Sequence, residues 1–159
     1  MEDAERIIAE YGLSPHPEGG WFREFHCSGR MLERLPGYPG PRAALTAIWF
    51  CLGRGDFSAF HRLRSEEAWI HLAGGPIELV LLRQGAAHRL RIARVEDGGP
   101  PGAVVPAETF QAARPLGDYG FSACLVAPGF DFRDFELPSR ERLLEEFPGE
   151  TDVIRSLTR

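Results

Sequence analysis

Short apolar runs recur along this chain, and nearly every one is cut off by glycine or proline. That punctuation limits the fold more than any other feature. The 18 Gly and 13 Pro make up about a fifth of the 159 residues, against a usual share of about 12%. Between these breaks, Trp21–His26, Ala43–Leu52, Ile77–Leu82, His88–Val95, Val104–Pro106, Thr109–Ala113 and Tyr119–Ala127 read as short strands, with two more between Gly55 and Gly74. Asp97 to Gly102 (DGGPPG) is a turn cluster, and Met31 to Pro41 a loop. Helical patterns stand only at the ends. Asp3 to Tyr11 reads as a helix capped by Asp3 and stopped by Gly12, and Ser139 caps a second around Leu143, Leu144 and Phe147. Pro148-Gly149 stops that one, and Thr151 to Leu157 is a further weak helical segment. Many short strands with regular turns predict a mainly β sandwich or barrel with helices packed outside. We read residues 1–159 as a single domain.

The stretch Gly55–Gly74 concentrates the chemistry. His61, Leu63, Glu67, Trp69 and His71 occupy odd positions, and side chains two apart on a strand share a face. A turn at Arg64-Ser65-Glu66 opposes Leu63 to Glu67 and His61 to Trp69, with Glu67 diagonal to His61. Arg62, Arg64 and Glu66 then point to water.

The formal net charge of −5 argues against a nucleic-acid partner. All 18 basic residues are Arg, which excludes Schiff-base chemistry on a lysine. Cys27, Cys51 and Cys124 are far apart and odd in number, so they read as single thiols in a reducing compartment. There is no basic-then-apolar leader and no run long enough for a membrane span. The expectation is a cytoplasmic protein without a membrane partner.

Gly55, His61, Glu67 and Gly74 reproduce the first cupin motif, G-x5-H-x-H-x3-E-x6-G, with Leu63 where the second His stands. In the second motif, G-x5-P-x-G-x2-H, Pro106 and Gln111 match in position, with Gln replacing His and Glu108 replacing Gly. HPEGGWFRE (His16–Glu24), FHRLRSEEAW (Phe60–Trp69), VPAETFQAA (Val105–Ala113) and VAPGFDFRDFEL (Val126–Leu137) resemble the signature segments of the small cupins grouped as Cupin_5. The resemblance spans nearly the whole chain. It implies a double-stranded β-helix, or jelly-roll barrel, usually dimeric, but no settled reaction. Gly20-Trp21-Phe22-Arg23-Glu24 is also similar to the G-x-F-x-E of dTDP-4-dehydrorhamnose 3,5-epimerase, a cupin that works without metal. There an Arg precedes the Gly, and here Gly19 takes its place.

Two chemistries compete. The resemblance implies a metal on three His and one Glu. Leu63 and Gln111 replace two of those His, leaving His61, Glu67 and Gln111 as the metal-facing set, with His71 a substitute. The other chemistry is metal-free: His61 as general base, Glu67 orienting it, and Tyr119 donating a proton from the opposite wall. Trp21, Arg23, Glu24, Trp69, His71 and Gln111 are the candidate ligand contacts, and His16 could line the mouth. The expected function is isomerase- or epimerase-type chemistry on a polar carbohydrate-like or keto ligand, without a resident cofactor. A divalent transition metal serving a lyase or oxygenase is one alternative. A homodimer that binds a small ligand without turning it over is the other.

Overall fold

The computed structural model describes residues 3–159. Helix α1 (Asp3–Tyr11) ends at Gly12, whose φ of 61° lies in the left-handed region. Asp3 is not its cap; it sits inside the first turn, where a carboxylate meets the positive end of the helix. Thirteen strands follow: β1 (Ser14–Pro15), β2 (Trp21–Cys27), β3 (Met31–Leu32), β4 (Arg42–Ala43), β5 (Thr46–Gly53), β6 (Ser58–Leu63), β7 (Glu66–Gly74), β8 (Ile77–Arg83), β9 (Ala86–Ile92), β10 (Gly102–Val105), β11 (Phe110–Pro115), β12 (Tyr119–Ala127) and β13 (Phe135–Glu136). Helices α2 (Arg140–Glu146) and α3 (Thr151–Ser156) close the chain, and the Ser139 hydroxyl caps α2 as its sequence requires.

The strands form a six-stranded sheet, β1-β2-β5-β12-β7-β10, facing a five-stranded sheet, β13-β6-β11-β8-β9, with β3-β4 as a small separate pair. This is a mainly β jelly roll, as the resemblance implies, although the two main sheets share no hydrogen-bonded edge. The barrel is open at its seams.

One sequence expectation needs correcting. β6 and β7 do not form a hairpin. β6 pairs with β11 and β13, setting His61 opposite Gln111 and Leu63 opposite Phe135. β7 pairs with β12 and β10, setting Glu67 opposite Val126 and Trp69 opposite Cys124. The turn between them therefore passes from one sheet to the other. The predicted faces survive this change because alternation belongs to a single strand, whatever strand lies beside it. His61 and Leu63 point inward from one sheet, Glu67 and Trp69 from the other, and all four are buried.

Between the sheets lies an apolar core of Phe50, Leu52, Ile77, Leu79, Leu81 and neighbours. α1 packs on the outer face of the six-stranded sheet through Ala4 and Ile7, against Cys51 and Phe121. α2 and α3 cover the outer face of the other sheet, where Leu143, Val153 and Ile154 meet Phe60, Val80 and Phe110. β8 is thus apolar on both faces, which is why its sequence runs rather than alternates. No helix among the described residues is long and apolar enough to cross a membrane.

Arg42 is the exception to apolar burial. At 1% exposure its guanidinium donates from Nε and Nη2 to both oxygens of Asp134, at 2.6 and 2.9 Å. Arg64 Nε adds a third bond to Asp134 at 3.1 Å. These bonds lower the Asp134 carboxyl from its ordinary value, the Arg42 hydrogen bond foremost. They also pin the segment carrying Phe130, Phe132 and Phe135 across one end of the sandwich. Removing one member of a buried pair strands the other charge, so Asp134→Asn is expected to lower unfolding free energy by roughly 3–5 kcal/mol. Denaturant titration checks this, and an unchanged midpoint would show the pair to be dispensable.

Candidate active site

The site lies at the end of the sandwich beneath that aromatic segment. Facing strands supply most of its wall: Ile48 and Phe50 from β5, His61 and Leu63 from β6, Glu67 and Trp69 from β7, and Cys124 and Val126 from β12. The loop between β1 and β2 adds His16 and Glu18. That loop is bent by Gly19 (φ 106°) and Gly20 (φ 76°). A Cβ at Gly19 would stand 2.2 Å from the Phe57 carbonyl oxygen, so only glycine lets the loop lie this close to the chain leading into β6. Glu18 is thereby lowered into the interior, 6% exposed. The empty space is ≈ 440 Å³ counting the part open to solvent, but the centre of a water-sized sphere can roam only ≈ 30 Å³ of it. The cavity is slender.

Its polar groups form two linked sets. His61 Nδ1 lies 2.8 Å from the Ala59 carbonyl oxygen. A carbonyl only accepts, so Nδ1 carries the proton and Nε2 keeps its lone pair. That lone pair lies 3.3 Å from Glu18 Oε2, while Glu18 Oε1 accepts from the Ser58 hydroxyl at 2.7 Å. In the second set, the Trp69 indole donates to Gln111 Oε1 at 3.0 Å, and Gln111 Nε2 donates to Glu67 Oε2 at 2.7 Å. The indole can only donate, which fixes the amide's orientation and with it the bond to Glu67.

Burial controls the charges. It pushes Glu18 up to about 8, against the opposing Ser58 hydrogen bond and Arg159 charge, and Glu67 up to about 7. It lowers His61, and it lowers His16 to about 4 with help from the His61 charge. Near neutral pH the site thus pairs uncharged imidazoles with carboxyl groups that still hold protons.

Not every candidate from the sequence is here. The carboxyl beside the His61 ring is Glu18, not Glu67. Glu67 bonds instead to Gln111, which is buried as a spacer between it and Trp69. Tyr119 stands opposite Gly53, at the far end of β12 from Cys124 and Val126. It packs on the outer face with the α1 cluster, away from the cavity wall. Trp21 lies on that outer face too, and Arg23 donates to the Tyr11 carbonyl oxygen at 3.1 Å. Glu24 is exposed and makes no hydrogen bond or ion pair among the described residues. His71 is buried but deeper, with Nε2 2.9 Å from the Gly75 carbonyl oxygen. His16 does line the mouth. Glu18 escaped sequence reasoning, and its one signal was the Gly-Gly pair that follows it.

Residues 5–138 match the Cupin_5 family, described as Cupin superfamily (DUF985). The chain belongs to that family. Two solved structures resemble this cupin over almost its full length. A hypothetical protein from Leishmania major is 30% identical, with 98% of each chain covered and a TM-score of 0.89. A protein from Shewanella oneidensis is also 30% identical, covering 100% of this chain and 99% of its own, with a TM-score of 0.88. Oxalate decarboxylase from Bacillus subtilis shares the fold alone: 14% identity, 90% of this chain, 36% of its own, TM-score 0.56. No curated protein matches the chain.

The donors of this cupin do not fit the metal that the motif implies. Leu63 offers no ligand, and both ends of the Gln111 amide are already engaged. Among the described residues, His71 bonds Gly75 through Nε2 and leaves Nδ1 without a partner, but no group of three or more His, Cys, Asp or Glu is placed to hold an ion.

The buried carboxyls give a sign for stability against pH. Above about pH 4.5 the unfolded chain has released the protons that folded Glu18 and Glu67 keep. Stability from these groups therefore falls as pH rises toward about 8. His16 opposes this between about pH 4 and 6.5, where the unfolded chain holds a proton that the buried ring refuses. Above that window the carboxyl effect is left unopposed. Thermal unfolding is expected to show a midpoint that drops from pH 6.5 to 8, with Glu18→Gln flattening the slope. A midpoint flat across that range in the wild type would contradict the burial argument.

Proposed function

We propose that this cupin moves a proton on a small carbonyl compound, an isomerase- or epimerase-type reaction without a metal step. The observation that carries the reading is the acceptor nitrogen Nε2 of His61, held 3.3 Å from the buried Glu18 carboxyl in the wall of a cavity. His61 takes the proton from the carbon next to the carbonyl, its ring held by the Nδ1–H bond to the Ala59 carbonyl oxygen. Glu67, oriented by Gln111 and still partly protonated near neutral pH, donates to the carbonyl oxygen as negative charge builds there. A base and an acid that are both uncharged at rest suit an apolar chamber. Removing a positioned general base costs about 10²- to 10⁴-fold in rate.

The test is deuterium incorporation from heavy water into a panel of hydroxyketones, ketoses and lactones, followed by NMR. Wild type is expected to label the carbon next to the carbonyl, and His61→Ala to lose that labelling. Labelling that survives His61→Ala, or that follows a metal removed by chelation, would sink the assignment. The slenderness of the cavity favours a second reading, capture of a small ligand without turnover, which would give binding without label.

We further propose that the protein works in the cytoplasm as a homodimer. The outer face of the six-stranded sheet leaves Ile70, Leu72, Val104 and Phe25 at 39, 43, 57 and 43% exposure. Apolar side chains so placed form a band that a second copy would cover. Sedimentation should give twice the chain mass, and Leu72→Glu should shift it toward the monomer; a monomeric wild type would end this proposal.

A further inference from the structure

The cavity has an unusual polar inventory for a site that handles metabolite-sized compounds. Its titratable lining is His16, Glu18, His61, Glu67 and the Cys124 thiol, which burial pushes up, and no arginine lines it. The nearby guanidiniums are all committed elsewhere. Arg42 is locked on Asp134, and Arg64 is shared between Asp134 and the Gly37 carbonyl oxygen. Arg23 bonds to the Tyr11 carbonyl oxygen on the outer face. Arg159 lies behind the glycine turn, bonded to the carbonyl oxygens of Glu18 and Phe57 and to Asp56 Oδ1. Apart from Thr46, whose hydroxyl oxygen accepts from the Phe130 N–H, the remaining wall is aromatic or aliphatic, from residues such as Phe22, Phe50, Trp69 and Val126.

Proteins that hold carboxylates or phosphates in desolvated sites do so with cationic forks or clusters of backbone N–H groups. No cationic fork lines this chamber. An anion entering here would lose its hydration and meet two carboxyl groups instead, a cost without compensation. An uncharged carbonyl or hydroxyl compound faces no such cost. Its oxygen can accept from a protonated carboxyl, a hydroxyl can donate to an imidazole lone pair, and its carbon skeleton can rest on the aromatic wall.

We infer that the ligand of this site is electroneutral, a small hydroxycarbonyl compound, lactone or ester, and that compounds bearing a carboxylate or phosphate are shut out. The inference names the substrate class for the proton-transfer reading and rests on it for the site. Its binding arm is nevertheless separate.

Matched pairs test it on the wild-type protein. Dihydroxyacetone is set against dihydroxyacetone phosphate, and methyl pyruvate against pyruvate, each titrated while the Trp69 indole N–H resonance is followed. Trp69→Phe identifies that signal among the three tryptophans. The neutral member of each pair is expected to shift it, with the anion at least about tenfold weaker, or 1.4 kcal/mol. Equal or tighter binding of the anions overturns the inference, and so does a resonance that no neutral member moves. Deuterium incorporation is read in the same tubes. Neutral binding without label leaves the charge rule standing and removes the catalytic reading. Label on an anionic compound does the reverse.

Discussion

Two carboxyl groups buried without a cation set the character of this molecule. An isolated ionised carboxylate in such surroundings is heavily penalised, and a protein answers by neutralising it or by supplying hydrogen bonds. Here both answers are used. Ser58 and Gln111 bond one oxygen each of Glu18 and Glu67, and burial keeps protons on the groups toward neutral pH. Arg42 shows the opposite solution: its charge stays, because Asp134 takes it in a two-pronged bond. The charged pair serves architecture, and the neutralised pair is the one that lines the cavity.

The arrangement depends on glycine where the chain must pass close to itself. The turn at Gly19 and Gly20 brings Glu18 over the chain entering β6, and a side chain there would collide with the Phe57 carbonyl. The second cupin motif shows the same demand without its glycine. Glu108 stands in the glycine's place and still adopts a φ of 58°, so the backbone geometry outlived the residue that makes it easy.

Much of the fold was legible from the sequence because strand alternation and glycine-proline breaks are local signals. Tyr119–Ala127 agrees end to end with β12, and Gln84-Gly85 forms the two-residue turn joining β8 to β9, both residues at positive φ. Pairing was not legible. Nothing local tells β6 that its neighbour is β11, and a short polar turn serves a hairpin and a sheet-to-sheet crossing equally well. The choice of inner face failed for a related reason. Trp21 and Tyr119 alternate like inward residues, but α1 buries the outer face of their sheet, so both faces are apolar there. Glu18 lay hidden because its burial is made by a loop, where no periodicity operates.

The crossing between β6 and β7 has a mechanical consequence. His61 and Glu67 are six positions apart in the chain yet belong to opposite sheets, which face one another at about 10 Å in packed sandwiches. The gap between the His61 imidazole and the Glu67 carboxyl is therefore a caliper whose opening is set by the thickness of the apolar filling below it. Leu79 and Leu81 belong to that filling and not to the cavity wall, so bulkier or smaller side chains there would change how wide the jaws stand.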